Sequence, residues 1–130
     1  MITAFCVHGK TKISIEENII VIQSEGPWNN EYFKTLHQEI LLAVSRLNTD
    51  HYGVLLLPIG ETISVAEALD YHMDFLKQGN VKAIAINLEN SHIPNTTERL
   101  CRKVYEQIGI NFQFFSSNDS AKEWLKTTLS

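Results

Sequence analysis

The sequence predicts an α/β fold with a mixed, mostly parallel sheet of four or five strands and flanking helices. Three observations carry this. Short apolar runs alternate with segments of helical periodicity, in the order β-β-α-β-α-β-α-β-α. Gly53 to Leu57 is wholly apolar, as suits a strand covered on both faces, and Val81 to Leu88, Val-Lys-Ala-Ile-Ala-Ile-Asn-Leu, reads as another buried strand. A β-hairpin pattern precedes the first helix and adds one antiparallel edge strand.

The hairpin pairs the alternating segment Lys12 to Glu16 with Ile19 to Gln23, across a tight turn at Glu17-Asn18. Gly26-Pro27 is expected to break the second strand. Asn29 is a good N-cap for a first helix over residues 30 to 47, with Glu31 in its first turn. Trp28 and Phe33 stand at the two positions of a hydrophobic staple. Phe33, Leu36, Ile40, Leu41, Val44 and Leu47 form its apolar stripe.

The next strand, Gly53 to Leu57, is expected to end at Pro58. Ser64 with Glu67 reads as a capping box for a second helix, which ends near Gln78 with Gly79 as a C′ residue at positive φ. After Val81 to Leu88, Asn95 with Glu98 repeats the capping arrangement for a third helix that Gly109 ends. Ile110 to Phe115 is the last strand. Ser116 to Asp119 cap a final helix anchored by Ala121, Trp124 and Leu125. Ile20, Ile22, Leu55, Leu57, Ile84 and Ile86 are the expected centre of the core.

The 130 residues fit a single domain spanning 1–130. A domain of this size buries roughly two-thirds of its unfolded surface and needs no disulfide. Hydrophobic residues make up 44% and charged residues 20%, the composition of a folded globular chain. A net charge of −4 argues against a nucleic-acid partner, whose phosphates call for a basic surface. Arg99, Arg102 and Lys103 form only a small basic group, the pattern of a solvated helix face. No basic region precedes a long apolar run, and no apolar stretch is long enough to span a bilayer. Together with two well-separated cysteines, Cys6 and Cys101, this gives a cytoplasmic protein with reduced thiols as the expectation.

Candidate chemistry is sparse. The five histidines, His8, His37, His51, His72 and His92, show no i,i+4 pair and no cysteine at ligand spacing, so no metal site is expected. His37 and His72 fall beside apolar helix positions and are expected to be half-buried. Cys101 lies within an apolar stripe, where a thiol serves as a small hydrophobe. Cys6 has His8 two residues on, but no nucleophile motif surrounds it. Neither phosphate-cradling glycine motif occurs, and no cofactor is implied. A phospho-receiver would need an aspartate ending the middle strand, and that strand ends Leu56-Leu57-Pro58. Glu61, Glu67, Asp70 and Asp74 around the second helix read as an acidic solvated face, against the alternative of a catalytic pair.

Several segments resemble SpoIIAA-like proteins, a family also described as STAS/SEC14-like. They are His8-Gly9 with the hairpin, then Glu25-Gly26-Pro27-Trp28-Asn29-Asn30-Glu31. Val81-Lys-Ala-Ile-Ala-Ile86 is similar to the family's penultimate strand. Phe112-Gln-Phe-Phe-Ser-Ser-Asn-Asp-Ser-Ala-Lys-Glu-Trp-Leu125 is similar to its aromatic strand, Ser/Asp turn and closing helix. The resemblance spans nearly the whole chain and implies a mixed sheet flanked by helices. It also implies a non-catalytic regulatory or protein-interaction module, because relatives include anti-sigma-factor antagonists phosphorylated on a serine after a central strand. Ser64 is the nearest counterpart, but the antagonists' acidic-then-Ser-Ser-Gly signature is replaced by Pro58-Ile-Gly-Glu-Thr-Ile-Ser64. The SEC14 likeness implies the alternative, a domain for a small apolar ligand or lipid.

Open α/β sheets bind at the carboxyl ends of their strands, where connections reverse direction. Three predicted loops would lie there: Gly26 to Glu31, Pro58 to Ser64 and Leu88 to Asn95. They carry the candidate binding residues Trp28, Asn30, Glu61, Thr62 and His92. Asn30 and Thr62 are expected to occupy neither cap nor core positions. A deep apolar pocket would favour the ligand-binding alternative, and a flat face with Trp28 exposed would favour the interaction module.

Overall fold

The structure is a computed structural model that describes residues 9–130. The hairpin strands β1 (Lys10–Glu16) and β2 (Ile19–Trp28) come first, followed by α1 (Asn30–Ser45) and β3 (Gly53–Ser64). Then come α2 (Ala66–Gln78), β4 (Ala83–Asn87), α3 (Pro94–Ile108), β5 (Asn111–Phe115) and α4 (Asn118–Leu129). The element order is the one the sequence predicts. The strands lie side by side in sequence order; β1 is antiparallel to β2 and every later pair is parallel. Glu17 makes the hairpin turn at φ 56°, and Ile13 and Ile15 pair with Ile22 and Ile20.

This strand order decides where the helices go. Each connection from β2 to β5 steps one strand in the same direction, and right-handed crossovers then fall on one face. Ile20, Ile22, Val54, Ile84 and Ile86 accordingly pack against α1, α2 and α3. The alternate residues Ile19, Val21, Leu55, Leu57, Ala83 and Ala85 pack against α4. All six residues expected at the centre of the core are buried, divided between the two faces. Both faces being covered is why the central strands read as unbroken apolar runs. The order never reverses, so the crevice that a reversal would open at the carboxyl ends of the strands is absent.

Several boundaries differ from expectation. Gly26-Pro27 does not end β2; the strand bulges there and continues to Trp28. Gly26 sits so close to β3 that a Cβ on it would overlap the Glu61 carbonyl oxygen, a contact only glycine permits. Nor does Pro58 end β3. The ladder with β4 covers only Gly53 to Leu56, so Pro58 lies where β4 offers no pairing to lose. The expected loop Pro58 to Ser64 is therefore strand, and Gly26 to Glu31 is divided between the end of β2 and the start of α1.

Two expected caps are also absent. Ser64 is the last residue of β3, paired with Trp28, and Val65 takes the N-cap position of α2 without a side-chain bond. The Ser64 hydroxyl turns to the Val65 carbonyl instead, 3.3 Å away. Likewise Ile93, not Asn95, caps α3, with Pro94 at the first helical position, where its missing N–H costs nothing. Gly79 follows α2 in an extended conformation rather than at positive φ. Asn29 does cap α1, accepting from the Tyr32 N–H at 2.8 Å. Gly109 ends α3 at φ 75°.

Candidate functional site

Helices α1 and α2 cross the sheet without filling the space beneath them. An apolar cavity of about 440 Å³ remains between α1, α2, α3 and the sheet face. Ile22, Val54 and Leu56 form its floor, Phe33 and Leu36 the α1 wall, and Phe75 part of the α2 wall. The exposed lining residues Leu41, Asp50, Gln78 and Asn80 mark its mouth. They lie at the carboxyl ends of α1 and α2 and just before β3, hence at the amino-terminal edge of the parallel strands. Ser24 and Trp28, buried near the end of β2, close the opposite end.

The wall carries few polar groups, and their surroundings keep them uncharged. His72 lines the cavity, and its Nδ1 lies 2.8 Å from Nε2 of His37 on α1. The His72 ring stacks on Phe33 with centroids 4.6 Å apart, and His37 stacks on Phe75 at 3.8 Å. Burial among these rings lowers the pKa of His37 to about 4. Burial, with a smaller contribution from His37, lowers that of His72 to about 3. Both imidazoles are therefore neutral near pH 7, one donating to the other. Cys101 also lines the cavity, and burial, followed by Glu98, pushes its thiol up to about 12, so no thiolate nucleophile stands there. Ser24 and Tyr32 share a buried hydroxyl–hydroxyl bond, and burial raises the Tyr32 pKa.

The five residues expected to form a binding site are not gathered into one. Trp28 is 8% exposed and belongs to the cavity wall, held between Tyr32 and Phe33 as the staple predicts. Its Nε1 is buried with no hydrogen-bond partner, as is Oδ1 of Asn30 in the first turn of α1. Glu61 and His92 are exposed, close to Gly60, whose carbonyl accepts from the His92 N–H at 2.9 Å. Thr62, expected outside the core, is completely buried. Its hydroxyl bonds those of Ser91, at 2.6 Å, and Thr97, tying β3 to the start of α3. It points inward because β3 continues past Pro58 and keeps its alternation.

Sequence reasoning weighed His37 and His72 only as metal ligands and half-buried helix residues. Two histidines set into apolar stripes on consecutive helices were the available signal for a shared interior position. Among the described residues, no cluster of three or more potential metal ligands occurs, and no helix is long and apolar enough to cross a membrane. Cys6 and His8 lie outside the described residues.

No protein-family model matches the chain, and no curated protein matches it. Solved structures do. One is an uncharacterised protein of the DUF3478 family with a SpoIIAA-like fold from Shewanella loihica PV-4. It is 14% identical, with a TM-score of 0.63 over 96% of this chain and 99% of that one. Another is an anti-sigma factor antagonist from Mycobacterium paratuberculosis, 11% identical, with a TM-score of 0.50 over 91% of this chain and 94% of that one. The mixed five-stranded sheet, the order of its elements and these likenesses agree: the chain has a SpoIIAA-like fold.

Proposed function

We propose that this chain is a non-catalytic binding module that takes a small apolar ligand into the cavity between α1, α2, α3 and the sheet. The cavity is the observation that carries this reading. Close-packed interiors leave few voids larger than a water molecule, whereas ligand pockets span roughly 300–1,000 Å³. At about 440 Å³, with walls mostly of aliphatic and aromatic side chains, this one has the size and chemistry of a pocket. Trp28 sits in its wall rather than on a flat outer face, which favours a ligand over a protein as the occupant of this site. The neutral histidine pair and the protonated thiol favour binding over catalysis.

Titration with the uncharged dye N-phenylnaphthylamine tests the proposal. Saturable fluorescence enhancement at one dye per chain is expected, and Leu56→Trp, which fills the cavity from its floor, should abolish it. No saturation, or saturation indifferent to Leu56→Trp, would sink the reading.

A second reading, a regulatory module that binds a protein, is favoured by a different surface. Ile63 and Val65 are 43% and 67% exposed, beside exposed Glu61 and His92 at the carboxyl-end rim. The likeness to an anti-sigma factor antagonist points the same way. Under this reading Val65→Glu and Glu61→Lys weaken a partner's binding while Leu56→Trp leaves it intact. The reverse pattern would remove the rim from consideration.

A further inference from the structure

We infer that the ligand of the cavity is an uncharged apolar molecule bearing a hydroxyl group, and that the hydroxyl is held by Nε2 of His72. This rests on the cavity being a ligand site and names the chemistry of what it takes.

Charge is the first consideration. No lysine or arginine is among the described residues that line the cavity, and the one acidic side chain in the lining, Asp50, stands at the mouth. A carboxylate or phosphate drawn inside would lose its hydration and meet no cation, a strongly unfavourable exchange. An ammonium group drawn inside would meet neutral imidazoles and apolar side chains, away from Asp50 at the exposed rim. A neutral ligand escapes both costs.

The polar group follows from the histidine pair. The stack on Phe33 and the bond from Nδ1 to His37 fix the His72 ring, so its orientation is set before any ligand arrives. Nε2 is then the ring's remaining polar atom, and it has no hydrogen-bond partner among the described residues. A ligand group placed there would gain a hydrogen bond. Its required sense depends on the tautomers. Where His37 donates to Nδ1, Nε2 of His72 carries the proton and the ligand must accept. Where His72 donates through Nδ1, Nε2 is bare and the ligand must donate. A hydroxyl group satisfies either arrangement, and a carbonyl or ether satisfies only the first. Elsewhere in the wall the Trp28 Nε1–H is a buried donor without a partner, which a hydroxyl oxygen could also meet, while Phe33, Phe75 and Leu36 call for an apolar body.

Displacement of bound N-phenylnaphthylamine at neutral pH by octanol, octanoate and octylammonium separates this inference from the proposal beneath it. Octanol is expected to displace the dye at a concentration at least about tenfold lower than either ion, the factor a single hydrogen-bond-sized free-energy difference gives. In His72→Phe, which keeps a ring stacked on Phe33, the preference for octanol over chlorooctane should fall about tenfold. On the unaltered protein, octanol should also shift the imidazole nitrogen resonance of His72 Nε2, and chlorooctane, which lacks the hydroxyl, should not. Failure of the dye to bind overturns the proposed function. Dye binding with octanoate or octylammonium as effective as octanol, or octanol binding that leaves the Nε2 resonance unmoved, overturns the inference and leaves the cavity a site for some other apolar ligand.

Discussion

His37 Nε2 and His72 Nδ1 meet at 2.8 Å, joining α1 to α2 above the cavity. Each ring is also stacked on a phenylalanine, His72 on Phe33 and His37 on Phe75. Both histidines therefore act as aromatic packing that also holds a hydrogen bond, and burial disfavours the charged form of either ring.

Acid should thus destabilise the fold in a defined window. Both groups have folded-state pKa values below the ordinary 6.5, at about 4 for His37 and about 3 for His72. The unfolded chain takes up these protons first. The stability they confer is full above pH 6.5 and is lost as pH falls towards 4 and then 3. The loss from His37 alone is on the order of 3 kcal/mol. Urea denaturation followed from about pH 7 to about pH 4 should show this decline. The double variant His37→Phe/His72→Phe should show a clearly shallower one. Equal slopes in the two proteins would mean the pair is not held neutral by the fold.

The two helix starts should respond oppositely to truncation. Asn29→Ala removes the bond to the Tyr32 N–H and should cost about 0.5–2 kcal/mol in chemical denaturation. Ser64→Ala removes no cap and should cost less than about 0.5 kcal/mol. A Ser64→Ala loss as large as that of Asn29→Ala would restore the capping box that the structure lacks.

Thr62→Val keeps the buried shape and deletes the hydroxyl shared with Ser91 and Thr97. A loss of about 1–3 kcal/mol is expected, because buried polar partners are left behind. Amide hydrogen exchange should rise at the start of α3, where Thr97 bonds the Ile93 carbonyl. A neutral substitution would show that the hydroxyl cluster holds nothing together.

The fold was largely legible in the sequence because patterning and topology reinforce each other. Val81 to Leu88 could only be a strand covered on both faces, and Ile84 and Ile86 duly face α1–α3 while Ala83 and Ala85 face α4. Ile84→Ala should cost about 2–5 kcal/mol in the same denaturation assay, and a loss under about 0.5 kcal/mol would mark β4 as peripheral. Proline and glycine misled at Gly26, Pro27 and Pro58. Local chemistry predicts breaks there, and the pairing of β2 with β3 overrides it. That one override also moved Ser64 out of its cap and Thr62 into the interior. The cavity left almost no trace, since a helix stripe that lines a space reads the same as one that fills it. Phe33, Leu36 and Leu76 are apolar at core spacing in either case. Its mouth, at Asp50 and Asn80, lies at the edge of the sheet opposite to the one that strand-end loops single out.

The most direct test of the account is a crystal structure of the protein grown with bromooctane, read by the anomalous signal of bromine. The account predicts bromine density, or continuous chain density ending in it, inside the cavity bounded by Ile22, Leu56 and Phe75, with α1 and α2 in place. Bromine found only on outer surfaces such as Val65 or Leu42, or α1 and α2 closed onto the sheet with no space between, would contradict it.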